Sequence, residues 1–84
     1  MRNSWTNNLQ KEVTAAFAIA RRKDKQDPME WIKGYVKARG WALIQEDTNS
    51  TDGIKYYSVH ALVEGRVIDF YYWTNRPGQW WCKN

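Results

Sequence analysis

The stretch Lys55-Tyr56-Tyr57-Ser58-Val59-His60-Ala61-Leu62-Val63-Glu64-Gly65-Arg66-Val67-Ile68-Asp69-Phe70-Tyr71-Tyr72-Trp73 decides the fold. Two runs rich in β-branched and aromatic residues flank a Glu-Gly pair, the pattern of a β-hairpin. A two-residue loop at Glu64-Gly65 fixes the register. Val63 then faces Arg66, Leu62 faces Val67, and the pairs continue to Tyr56 opposite Trp73. Alternation sorts these pairs onto two faces. Ala61/Ile68, Val59/Phe70 and Tyr57/Tyr72 make an apolar face that fits a core. The other face carries Leu62/Val67, His60/Asp69, Ser58/Tyr71 and Tyr56/Trp73. It is polar in the middle and aromatic at one end.

Upstream the period changes to that of helices. From Thr6 to Lys23, the residues Leu9, Val13, Phe17 and Ala20 recur at spacings of four, four and three. Thr6, Asn7 or Asn8 is the expected cap. Asp27-Pro28-Met29-Glu30 opens a second helix with a cap carboxylate and a proline in the first turn. Gly40 closes it, and Gly34 within it suggests a close backbone approach. Trp41–Glu46 reads as a strand, Asp47–Gly53 as a polar loop, Asn75–Gly78 as a turn, and Gln79–Lys83 as a last short strand. If the Asn75–Gly78 turn has four loop residues, Trp80 joins the aromatic end opposite Trp73. The predicted architecture is one α+β domain of order α-α-β-β-β-β. Three to four strands form an antiparallel sheet, with both helices on one face.

The 84 residues suffice for one modest core. Six Trp and five Tyr supply large buried area in a small chain, or a binding surface where they face outward. A single cysteine, Cys82, allows no internal disulfide, and the expected compartment is cytoplasmic. One Cys and one His cannot make a zinc site of the usual spacing, and no cofactor or metal is expected. The opening residues carry no apolar signal core and no long apolar run follows, so no membrane association is expected.

Charge is uneven. Nine basic and four acidic side chains in residues 1–40 leave +5, whereas four basic and five acidic in the remainder leave −1. Arg21, Arg22, Lys23, Lys25, Lys33, Lys37 and Arg39 are candidate phosphate contacts. Cations in a last helical turn also suit the helix dipole, which is a purely structural account of part of this run. The outward aromatics Tyr56, Tyr71, Trp73 and Trp80, with His60 beside them, are a candidate platform for bases or for a protein partner.

Ser58, His60 and Asp69 are the residue types of a nucleophilic triad. The spacing opposes that use: Ser58 and His60 lie two apart on one strand with roughly parallel side chains, and no glycine-rich turn offers an oxyanion hole. No phosphate-binding loop, dinucleotide fingerprint or paired catalytic carboxylates occur. The segment Trp31-Ile-Lys-Gly-Tyr-Val-Lys-Ala-Arg-Gly40-Trp41-Ala-Leu-Ile, followed by Ser58-Val59-His60, resembles the helix, Gly-Trp, strand and histidine strand of small RNA-cleaving HicA-type toxins. That resemblance implies RNA as a partner and, more remotely, cleavage through His60. The chain departs from the family in lacking its Gly-Ser-His-His motif and a helix after the sheet. A small Trp-rich chain without a catalytic motif is also similar to accessory proteins of phages and mobile elements, which bind host macromolecules. The expected function is therefore non-enzymatic binding of nucleic acid. The alternative is an inhibitor or adaptor that docks on a host protein through exposed aromatics.

Overall fold

The computed structural model describes residues 4–84. Two helices, α1 (Ser4–Lys23) and α2 (Pro28–Ala38), precede four strands: β1 (Ala42–Thr51), β2 (Ile54–Val63), β3 (Arg66–Trp73) and β4 (Trp80–Lys83). The strands form one antiparallel sheet in the order β1-β2-β3-β4. Both helices cover the same face: α1 packs mainly on β4, and α2 on β1 and β2. This is the α+β layout expected from the sequence.

Helix α2 is punctuated as its sequence demands. The Asp27 carboxylate accepts from the Met29 N–H at 3.2 Å, with Pro28 at the first helical position. At the other end the Trp41 and Gly40 N–H groups reach back to the Val36 and Lys37 carbonyls, a Schellman-type stop. Helix α1 already includes Ser4, so Thr6, Asn7 and Asn8 lie inside it and do not cap it. Thr6 is instead buried, and its hydroxyl donates to Asn84 Oδ1 at 2.9 Å. Among the described residues nothing lies within 4 Å of where a Cβ on Gly34 would sit, so the expected close backbone approach is not found.

The β2–β3 register matches the expected one pair for pair, from Tyr56↔Trp73 to Val63↔Arg66. Glu64 and Gly65 both adopt positive φ, the I′ geometry whose twist suits a two-residue hairpin. Two expectations need correction. The polar segment Asp47–Thr51 is strand, not loop: β1 continues to Thr51 and turns through Asp52-Gly53, again with positive φ at both residues. The β3–β4 connection is Thr74–Gln79 and not a four-residue turn, and the register across it is shifted by one residue, so Trp80 pairs with Tyr72 and not with Trp73. A one-residue slip exchanges the faces of a strand. Trp80 therefore enters the core and Trp81 takes the outward position opposite Tyr71.

The core lies between the helices and one sheet face. Val13, Phe17, Ile32 and Val36 from the helices meet Val59, Ala61, Val63, Ile68, Phe70 and Trp80 from the strands, all essentially inaccessible. Each such apolar side chain larger than alanine contributes about 1.5–3 kcal/mol by leaving water. The aromatics bind the two helices to the sheet. Phe17 packs at 4.8 Å from Trp31 and edge-on to Tyr72 and Trp80, and Trp41 stacks over Phe70 at 6.1 Å.

Cys82 closes the same core, its backbone N–H donating to Gln10 Oε1 at 3.0 Å. Burial, with a smaller contribution from the Asp69 charge, pushes the thiol up to about 12. An unfolded thiol titrates near 8.5. Between those values the unfolded chain releases a proton that the folded one keeps, so stability falls as pH rises. Below about pH 8.5 the group has no such effect. Relative to Cys82→Ala, the wild type is expected to lose an additional ~1–2 kcal/mol between about pH 8 and pH 10, measured by urea unfolding. An equal pH dependence in the two proteins would show that the thiol is not buried.

Candidate binding face

The sheet face turned away from the helices is the candidate site. Its central strands place three zones along the hairpin. At the turn end, Leu62 and Val67 are 43% and 52% exposed, with Ile44 of β1 at 54% beside them. A bulge between Leu43 and Gln45 leaves Ile44 without a partner in β2 and sets Gln45 opposite His60. The middle holds Gln45 and Asp47 from β1, Ser58 and His60 from β2, Asp69 from β3 and Lys83 from β4. The far end holds Tyr56, Tyr71, Trp73 and Trp81.

In the middle zone the Ser58 hydroxyl donates to Asp69 Oδ1 at 2.7 Å. His60 Nε2 stands 3.8 Å from Asp69 Oδ2, an ion pair only when the ring is protonated and too long for a hydrogen bond. His60 Nδ1 is enclosed and has no hydrogen-bond partner among the described residues. The aspartate is thus the hub. The serine donates its hydrogen bond to Asp69 and not to His60, whereas a serine nucleophile needs its hydroxyl on the base. Around this hub opens a concavity of about 490 Å³, bounded at the aromatic end by Tyr56, Tyr71 and Trp73. Tyr56 and Trp73 sit 4.5 Å apart with their planes 33° from parallel, one tilted aromatic slab. The Lys83 ammonium lies 5.6 Å from the centre of the Tyr71 ring.

The seven basic candidates divide into two groups. Lys33 bonds both Glu30 and Glu46, at 3.0 and 3.1 Å, and these bonds raise its pKa. Arg39 pairs with Glu12 at 2.9 Å, stacks on Tyr35 and Trp41, and donates to the Tyr35 hydroxyl. Burial raises the pKa of that tyrosine despite the neighbouring guanidinium. These two cations have internal partners on the helix side, where Lys37 also lies, exposed. Arg21, Arg22 and Lys23 are at the C-terminal turn of α1, with Lys25 just beyond, all exposed. Arg21 reaches over the Phe17 ring and rests against Gly78, where any Cβ would collide with its guanidinium.

That contact places Arg21 against the loop that ends the aromatic zone. The loop Thr74–Gln79 is pinned by the Gly78 N–H donating to the Tyr72 hydroxyl at 2.7 Å, and by Thr74 N–H and Oγ1 donating to the Lys55 carbonyl. One side of the loop carries Arg21. The other side lines a recess with Tyr71, Trp73, Asn75, Arg76 and Trp81. Sequence reasoning named Tyr56, His60, Tyr71 and Trp73 on this face but missed Trp81, Arg76, Asp47 and Lys83. Asp47 is recoverable from the Asp52-Gly53 turn, which carries β1 through the polar segment.

Among the described residues no cluster of His, Cys, Asp and Glu is suited to hold a metal ion, and no helix is long and apolar enough to cross a membrane. No family model, curated protein or solved structure matches the chain.

Proposed function

We propose that the protein is a non-enzymatic module for single-stranded nucleic acid, with bases stacked on the aromatic end of the open face and phosphates held by the basic end of α1. The observation that carries this is the shared loop: Arg21 rests on Gly78, while Arg76 of the same loop borders the Tyr71–Trp73–Trp81 recess. Aromatic surfaces beside cations are what a flexible strand needs, since every base has a π-face and every linkage a charge. Ser58, His60 and Asp69 contribute polar lining in this reading, because His60 has no serine hydroxyl to activate. The free buried thiol of Cys82 fits a reducing, cytoplasmic setting, and the small size fits an accessory protein of the phage or mobile-element type.

The test is salt dependence. Affinity for an unstructured oligonucleotide should fall log-linearly with salt, by roughly 0.7 per neutralised phosphate. Replacing Arg22, Lys25 and Arg76 together by glutamine should reduce that slope by about 2. A second reading rests on the exposed Ile44, Leu62 and Val67, which suit a protein partner. Binding that is insensitive to salt and is lost in Val67→Lys would favour it, and absence of oligonucleotide binding at low salt would remove the first.

A further inference from the structure

We propose that the concavity over Asp69 accepts one unpaired base that presents hydrogen-bond donors on its edge, guanine above the others. This rests on the nucleic-acid reading and adds a specificity to it. The floor is acidic. Asp69 and Asp47 border the same hollow with Lys83 as the one lysine or arginine among its described lining residues, so a phosphate is disfavoured there and belongs at the Arg76 rim. The floor is also an acceptor. Ser58 occupies Oδ1 of Asp69, whereas His60 stays 3.8 Å from Oδ2. Among the described residues nothing donates a hydrogen bond to Oδ2, and an ionised carboxylate has about four lone-pair sites. The Asp69 side chain remains 17% exposed and borders the hollow.

The walls add the second requirement. Tyr56 and Trp73 form a tilted slab at one margin and Tyr71 stands nearby, so a flat ring entering the hollow finds π-surface beside the carboxylate. A volume of about 490 Å³ lies within the range of small-ligand sites, roughly 300–1,000 Å³. Among the four RNA bases, only guanine sets two donors side by side, N1–H and the N2 amine. Uracil offers one ring N–H, while adenine and cytosine set one amine beside an acceptor nitrogen that would face the carboxylate. A carboxylate beside an aromatic slab therefore discriminates by donor count, the form of recognition open to unpaired bases with free Watson–Crick edges.

The experiment uses fluorescent RNA octamers of uridine with one central guanosine, inosine or adenosine. Inosine differs from guanosine only in lacking the N2 amine. Guanosine should bind about tenfold tighter than inosine, the worth of one hydrogen bond to a charged acceptor. Adenosine should bind no better than inosine. In Asp69→Asn, whose side-chain oxygen can still accept from Ser58, the guanosine-to-inosine ratio should fall towards one. Wild-type binding without a guanosine preference overturns the inference and leaves the nucleic-acid reading standing. A preference that persists in a folded Asp69→Asn also overturns it. Binding of none of the octamers overturns both. The wild-type comparison decides even if the variant does not fold.

Discussion

Trp80→Ala is expected to cost about 3–5 kcal/mol, the range for deleting a large aromatic from a packed core. Trp80 has no accessible surface and packs at 4.9 Å from Tyr72 and at 6.1 Å from both Phe17 and Trp31. Its backbone is also a tie: its N–H donates to Thr14 Oγ1 and its carbonyl accepts from the same hydroxyl, which fixes β4 against α1. The backbone bonds survive the substitution, but the ring that joins helix to strand does not. Total stabilities of small domains start near 5 kcal/mol, so the variant should be largely unfolded or melt at a much lower temperature. Trp81→Ala is the control. Its ring is half-buried on the open face, and its loss should cost under about 1.5 kcal/mol. Urea titration followed by circular dichroism measures both. A larger loss at Trp81 than at Trp80 would place β4 in the other register.

That pair of adjacent tryptophans also marks where sequence reading reached its limit. The β2–β3 hairpin was legible because a Glu-Gly turn and three agreeing apolar pairs constrain one another. Helix α2 was legible because Asp27, Pro28 and Gly40 act locally. In β4 both neighbours are Trp, so hydrophobicity is the same in either register, and only the exact loop length decides which ring goes inside. Strand β1 failed for another reason. It is an edge strand, and most of its residues are exposed, so Asp47–Thr51 shows no alternation. Charges and a bulge on such an edge also discourage pairing with other chains. The site was half legible. Alternation placed Tyr56, His60, Tyr71 and Trp73 on one face, but no local rule places Arg21 on Gly78 or pairs Lys33 with Glu46 and Arg39 with Glu12. Those are consequences of how the helices dock, and they separate Lys33 and Arg39, which have internal partners, from Arg21, which rests on the Gly78 loop.

Trp73→Ala should separate binding from stability in the opposite sense to Trp80→Ala. Trp73 ends β3 on the open face, partly exposed, and its ring contact is Tyr56 at 4.5 Å. Removing it leaves the buried core untouched, so the expected stability loss is about 1 kcal/mol, the value of one cross-strand aromatic pair. Its effect on oligonucleotide affinity should be larger. A base stacked on an aromatic side chain is worth about 1–3 kcal/mol, which corresponds to roughly 5- to 150-fold in affinity. The loss should be similar for the guanosine and inosine octamers, because stacking is tolerant of base identity, whereas Asp69→Asn acts on their ratio. Trp73→Phe retains a π-face and should recover most of the affinity. Fluorescence anisotropy with both variants, beside a thermal melt of each, reads the two effects separately. Unchanged affinity in a folded Trp73→Ala would exclude the aromatic end as the base platform and turn attention to the Leu62–Val67 end of the same face.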